Sequence, residues 1–274
     1  MLTQSQCDGI DIVLVSPRNP LNIGAVARAM ANFGFSRLAV VAPYSPHWRE
    51  ARSAIGAPEL LQNATETESL AEAVADSTFV AGTGTVARRK PEQLVVSLPD
   101  AGPILAQHLD RPGRIALVFG PEKHGLTRDD LSFCNILIEI PTHPSQPSMN
   151  LGQAVAVCLY ELARRAVPGD DECNIGEARG LSTFPQKQAE RLGHGELEIE
   201  AASSSGTLDR LAGLIEETMA AAGYSPRVMQ PANRHDLRLL LRRLAPSALD
   251  TRRMLGLFRR ILYRLNRSGD PHDR

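Results

Sequence analysis

Three separated stretches of this chain hold side chains that could do chemistry. In PLNIGAVARAMANFG, residues 20–34, Asn22, Gly24 and Arg28 stand where an apolar run gives way to a helical pattern. A planar guanidinium can grip a phosphate through two hydrogen bonds. Gly24 would let the backbone turn tightly and admit a substrate close to it. The same residues also suit a plain capped helix, with Asn22 as cap and Arg28 solvated. In ALVFGPEKHGLTRDDL, residues 116–131, an apolar run ends at Gly120, and Glu122 and Gly125 follow. Gly120 removes a side chain where a ligand could press on the main chain. Glu122 could hold a hydroxyl or orient Arg28. The alternative is a turn in which Thr127 caps the next helix and Glu122 is merely exposed. In IEIPTHPSQPSMNLGQAVAV, residues 138–157, Pro141, Pro144 and Pro147 stiffen a loop that ends at Ser148 and Asn150. Fixed backbone donors and acceptors of that kind suit a purine; Ser148 or Asn150 could equally be only a helix cap.

Other chemistries find little support. No G-x-G-x-x-G or phosphate-loop pattern is present, and Gly82-Thr83-Gly84 is too short to be one. Cys7, Cys134, Cys158 and Cys173 form no C-x-x-C pair and no zinc-spaced cluster, so no metal is expected. Cys134 and Cys158 lie in apolar runs and read as core residues. Asp129 and Asp130 read as first-turn acids of a helix.

The elements that must position these stretches alternate along the chain. Strands are expected at residues 10–16, 38–42, 78–81, 115–119 and 136–140. Helices are expected at 24–33, stopped by Gly34, and at 70–75, 104–109, 127–133 and 150–166. Continuously apolar strands separated by helices predict an α/β fold, with a mostly parallel sheet covered on both faces. In such sheets ligands bind at the carboxyl ends of the strands, which is where all three stretches fall.

Composition changes after Pro168. Residues 168–206 hold six glycines and a Ser203-Ser204-Ser205-Gly206 run, and read as a linker between a domain at 1–167 and a helical extension at 207–274. A helix capped by Thr207 would carry Leu208, Leu211, Ile215 and Met219 on one face and end at Gly223. Between Arg234 and Arg267 the chain has ten arginines, no lysine and two acids. Ser247 and Asp250 resemble a capping box. On the helix that follows, Met254, Phe258, Ile261 and Leu265 share a face that Arg252, Arg253, Arg259, Arg260, Arg264 and Arg267 largely avoid. That basic face is expected to bind RNA phosphates. The net charge of −1 gives no such signal by itself. No apolar run reaches membrane-helix length, and Met1–Gly9 lacks a signal-peptide pattern, so a cytoplasmic protein without membrane contact is expected.

Taken in order, the three motifs resemble the SpoU (TrmH) branch of the SPOUT RNA methyltransferases. They appear as N-x-G-x-x-x-R at Asn22, Gly24 and Arg28, F-G-x-E-x-x-G-L from Phe119 to Leu126, and I-P then S-x-N at Ile140, Pro141, Ser148 and Asn150. The basic extension is similar to that of the TrmJ group, which methylates the ribose of tRNA nucleotide 32. The resemblance implies a trefoil knot in the carboxyl part of the α/β domain and a homodimer that builds its site from both subunits. It also implies S-adenosylmethionine as methyl donor and tRNA as partner. Thr83, Gly84, Thr85, Gly120, Ile140, Pro147, Ser148 and Met149 would line the cofactor site, and Arg28, Asn22, Glu122, Ser148 and Asn150 would be catalytic. Two alternatives stay open: ribose methylation of rRNA or another tRNA position, and a non-catalytic RNA-binding α/β protein.

Overall fold

The computed structural model describes residues 2–85, 91–164, 201–224 and 229–268. The elements run α1 Gln4–Cys7, β1 Ile10–Val15, α2 Pro20–Phe33, β2 Arg37–Val41, α3 Pro58–Gln62, β3 Thr65–Thr67, α4 Leu70–Ala73, β4 Phe79–Thr83, β5 Leu94–Ser97, α5 Leu98–Leu109, β6 Ile115–Phe119, α6 Arg128–Ser132, β7 Ile136–Glu139, α7 Leu151–Ala163, α8 Ser205–Ala221, α9 Gln230–Leu244 and α10 Ala248–Ser268. A short 3-10 turn, Trp48–Glu50, precedes α3.

Among the described residues seven strands form one sheet in the order β3-β2-β1-β6-β4-β7-β5. Every pairing is parallel, as the continuously apolar strands predict. Side chains alternate between the two faces. Ile10, Ile12, Leu14, Ile115, Leu117 and Phe119 point to a large core shared with α2, α5 and α7. Val13, Val15, Ala116 and Val118 point to the other face, where Leu70, Val74, Leu131 and Phe133 cover them. Each fully buried aliphatic side chain is worth about 1.5–3 kcal/mol. Cys7, Cys134 and Cys158 are buried free thiols, and burial pushes Cys134 and Cys158 up to about 12. Cys173 lies outside the described residues.

Helix α2 begins four residues before the expected Gly24. Pro20 occupies its first turn, where the missing N–H is no loss, and the Asn19 side chain accepts from the Leu21 N–H at 3.0 Å. Asn19 is therefore the cap, not Asn22. The stop at Gly34 is as expected, with φ +79°. Asn150 caps α7, accepting from the N–H groups of Gly152 and Gln153, and Thr127 caps α6 in a capping box. Strands β3 and β5 and helices α1, α3 and α9 stand in addition to the expected elements.

The carboxyl-terminal helices pack on α4 and α6, which cover the second face of the sheet. Most of the expected linker, residues 168–200, falls outside the described residues, but 201–206 are ordered into the extension. Ser203 Oγ donates to Thr251 Oγ1 at 2.6 Å. Ser204, not Thr207, caps α8, and the Ser205 and Gly206 N–H groups donate to the carbonyls of Ser77 and Ala75. Leu208, Leu211, Ala212 and Leu241 form a third apolar cluster, joined by Ile215, Met254 and Phe258. Ser247 caps α10 through the Asp250 N–H at 3.1 Å. Among the described residues no helix is long and apolar enough to cross a membrane.

Candidate active site

Strand order decides which loops can meet. Strands β1, β6, β4 and β7 are consecutive and parallel, so the segments leaving their carboxyl ends, near residues 16–19, 120–127, 84–85 and 140–150, emerge along one edge. All three sequence motifs lie in or directly after those segments.

A line of hydrogen bonds then ties the motifs together. Asn150 Nδ2 donates to Asn22 Oδ1 at 3.0 Å, and Asn22 Nδ2 donates to Glu122 Oε1 at 2.7 Å. Glu122 also accepts from the backbone N–H of Arg18 at 3.1 Å and of Asn19 at 3.3 Å. One residue from each motif thus takes part. Because Asn150 Oδ1 is committed to the start of α7, its amide group is left pointing at Asn22. Burial pushes the Glu122 carboxyl up, but the Asn22 amide and the backbone N–H groups outweigh it, and the net shift is below the usual carboxylate range. Glu122 is therefore ionised at neutral pH, with most of its acceptor capacity filled.

Two expected roles are corrected by this geometry. Glu122 does not hold Arg28: its partners are Arg18, Asn19 and Asn22. Arg28 is exposed and has no hydrogen bond or ion pair among the described residues. It stands six residues beyond Asn22, roughly 9 Å along the helix axis, and α2 begins earlier than expected, so Arg28 is two turns into the helix. The glycines also serve the fold more directly than a ligand. A Cβ on Gly24 would collide with Ser53 Oγ and come within 2.8 Å of the Ala54 nitrogen, and one on Gly120 would collide with the backbone of Gly125 and Leu126. Gly24 admits the loop after β2, and Gly120 admits the return of its own loop.

The expected cofactor-lining residues divide in the same way. The Thr83 hydroxyl is buried and donates to the Val118 carbonyl at 3.0 Å. Gly84 is exposed, and its N–H donates to the Ile138 carbonyl at 3.1 Å. Thr85, Ile140, Pro147 and Met149 are half-buried, and Ser148 is exposed. The 140–150 loop is braced from within: Thr142 Oγ1 donates to the Pro147 carbonyl at 3.3 Å, and His143 Nδ1 pairs with Ser145 Oγ at 2.7 Å. Sequence reasoning missed Arg18 and Asn19. The Asn-Pro pair at 19–20 was the available signal, since it marks a cap followed by a first-turn proline.

The arginines of the extension separate into two sets. Arg238 is buried, donates to Asp209 at 2.7 Å and Asp129 at 2.9 Å, and lies 4.1 Å over the Phe133 ring. Arg242 is buried too, donating to the Phe133 carbonyl at 2.7 Å and Ser205 Oγ at 2.8 Å; burial pushes it down to about 10. Arg252, Arg253, Arg259 and Arg260 are exposed on α10. Away from the motif loops, Glu92, His235 and Asp236 have potential ligand atoms within 4.8 Å of one another. There Arg128 already pairs with Glu92 at 3.1 Å.

Comparison with known proteins agrees with the fold. Residues 9–160 match the model of the SpoU rRNA Methylase family. The tRNA (cytidine/uridine/adenosine-2'-O-)-methyltransferase TrmJ of Pseudomonas aeruginosa is 41% identical over 156 residues, which are 57% of this chain and 60% of that relative. The tRNA (cytidine/uridine-2'-O-)-methyltransferase TrmJ of Pectobacterium atrosepticum is 30% identical over 264 residues, covering 96% of this chain and 99% of the relative. Among solved structures, TrmJ from Z. mobilis ZM4 superposes with a TM-score of 0.73 at 28% identity, across 92% of this chain and 98% of that one. Both the α/β body and the helical extension therefore have counterparts. With its three motifs gathered at one sheet edge and more than half its length matched, this chain belongs to the SpoU rRNA Methylase family.

Proposed function

We propose that this protein methylates a ribose 2′-hydroxyl of tRNA, at nucleotide 32 of the anticodon loop, with S-adenosylmethionine as donor and as a homodimer. The observation that carries the reading is the Asn150–Asn22–Glu122 line, because it draws the three motif loops to one place. The tRNA substrate and the reaction come from what the TrmJ relatives are named for.

When bound, S-adenosylmethionine supplies an electrophilic methyl group. The edge near Gly84, Ile140 and Pro147–Met149 suits it. Among the described residues a Cβ on Gly84 would meet nothing closer than 3.7 Å, and the exposed Ser148 hydroxyl has no partner. The knot that the family resemblance implies would bring the 140–150 loop through this edge.

The chain's own residues have four tasks. Glu122 fixes the loop at Arg18 and Asn19 and orients the Asn22 amide. Asn150 does the same from the other side. Ser148 offers a hydroxyl to donor or substrate. Arg28, exposed and without a partner among the described residues, docks the RNA phosphate and stabilises charge developing on the ribose oxygen. A guanidinium is a poor base, so positioning and charge are its contributions; alignment of the reactants supplies much of the acceleration. The distance of Arg28 from Asn22 fits a site completed by a second subunit. Exposed Leu21, Val157 and Tyr160 on the paired helices α2 and α7 offer an apolar face for that contact.

The test is methyl transfer to unmodified tRNA, with the modified nucleotide mapped. Transfer to the ribose of nucleotide 32 is expected, and Arg28→Ala should lose at least about a hundredfold in kcat/KM while keeping the wild-type melting temperature. Transfer only to rRNA or to another tRNA ribose would redirect the substrate assignment. No transfer to any RNA, or full turnover by Arg28→Ala, would sink the mechanism.

A further inference from the structure

We propose that Tyr44 and Arg18 form a stacking subsite for an unpaired base of the RNA substrate, beside the ribose to be methylated. The proposal rests on the reading of the protein as an RNA methyltransferase, and it names a contact that none of the three motifs contains.

The first observation is exposure. Tyr44 is 78% exposed, and no other large hydrophobic side chain among the described residues is more so. Its ring therefore contributes little to the core. The second is how firmly its backbone is held. Tyr44 follows β2, the neighbour of β1, and its N–H donates to the Pro17 carbonyl at 3.2 Å. The next residue, Arg18, donates its own N–H to Glu122. The Pro17–Arg18 peptide group thus takes part in both bonds: its carbonyl holds Tyr44 and its N–H enters the Asn150–Asn22–Glu122 line.

The third observation is strain. Ser16 and Ala42, at the ends of β1 and β2, have φ of +44° and +42°, a region that residues other than glycine seldom occupy. Each costs on the order of 1–3 kcal/mol, and such residues concentrate at functional sites. Both precede a proline, Pro17 and Pro43, and both are held by neighbouring carbonyls: Ser16 N–H donates to Val41 at 2.8 Å and Ala42 N–H to Thr67 at 2.9 Å. Two adjacent strained turns thus deliver an exposed aromatic ring to the edge where the motif loops converge.

The fourth is charge. The Arg18 guanidinium lies 6.0 Å from the Tyr44 ring centroid, at the limit of cation–π range. Farther along the same connection Arg52 is exposed, and the Ser53 hydroxyl fastens that stretch to α2 by donating to the Leu21 carbonyl at 2.7 Å. An exposed aromatic face beside an arginine is the kind of surface on which single-stranded bases stack, whatever their identity.

The test uses the full-length protein and an anticodon stem-loop RNA with 2-aminopurine next to the target ribose. Binding to wild-type protein should change the fluorescence of that base. Tyr44→Ala should abolish the change and raise KM for RNA about tenfold, with a much smaller effect on kcat and none on cofactor affinity. Tyr44→Phe keeps the ring and should restore both signals. Tyr224→Ala, which removes another exposed tyrosine far along the chain, controls for nonspecific loss. A Tyr44→Ala protein with the wild-type KM and fluorescence change would overturn the subsite, and so would a Tyr44→Phe protein as impaired as Tyr44→Ala. If the wild-type protein neither binds nor methylates the RNA, the underlying reading fails with it.

Discussion

Helices α9 and α10 are both rich in arginine, yet they use it in opposite ways. On α9, Arg238 and Arg242 are turned inward, clamped by Asp209, Asp129, Ser205 and the Phe133 carbonyl. On α10, Arg252, Arg259 and Arg260 are exposed, and Arg253 pairs with the exposed Asp250. The first pair attaches the extension to the α/β body. The second group is available to a polyanion. Arginine density alone is therefore a poor footprint for RNA; what matters is which guanidinium groups already have partners.

The largest expected effect would come from breaking the inner set. Arg242→Ala should lower unfolding free energy by about 3 kcal/mol, because it strands a buried carbonyl and a buried hydroxyl. Chemical denaturation measures this, and a loss below about 1 kcal/mol would show that α9 is not anchored this way. Next, replacing Arg252, Arg253, Arg259 and Arg260 together by alanine should leave stability unchanged within error. Binding to tRNA should weaken by about ten- to a hundredfold, with a flatter dependence on salt. An unchanged salt slope would remove α10 from the RNA surface. Smallest is Asp129→Ala. Its side chain is 74% exposed, so despite its bond to Arg238 it should shift stability by less than about 1 kcal/mol. A loss as large as that of Arg242→Ala would show that the boundary between the two sets is drawn wrongly.

Much of the α/β body can be read from the chain because its central strands are uninterrupted apolar runs, such as IDIVLV and IALVF. The edge strands lack that signal: β3 is Thr-Glu-Thr and β5 only four residues long. Strand order is beyond local pattern altogether, since it depends on which crossover lands where. The site divides similarly. Its residue types are visible in three motifs, but the partner of Glu122 depends on chain a hundred residues away. The glycines mislead for the same reason: the atoms that exclude a Cβ from Gly24 belong to a distant loop. The inner arginines are the clearest case, because Phe133 and Arg242 are 109 residues apart and nothing around Arg242 distinguishes it from Arg243.

The sheet order carries a consequence for how the chain is made. Strand β7 lies between β4 and β5, although both precede it in sequence. A nascent chain that has emerged only to about residue 135 thus has β4 and β5 in hand and nothing to hydrogen-bond between them. Until the next few residues leave the ribosome, two apolar strand edges border an open slot, which is the kind of surface that recruits another chain. The interval before β7 arrives, like the earlier wait for β6 between β1 and β4, leaves a half-built sheet open to misassembly.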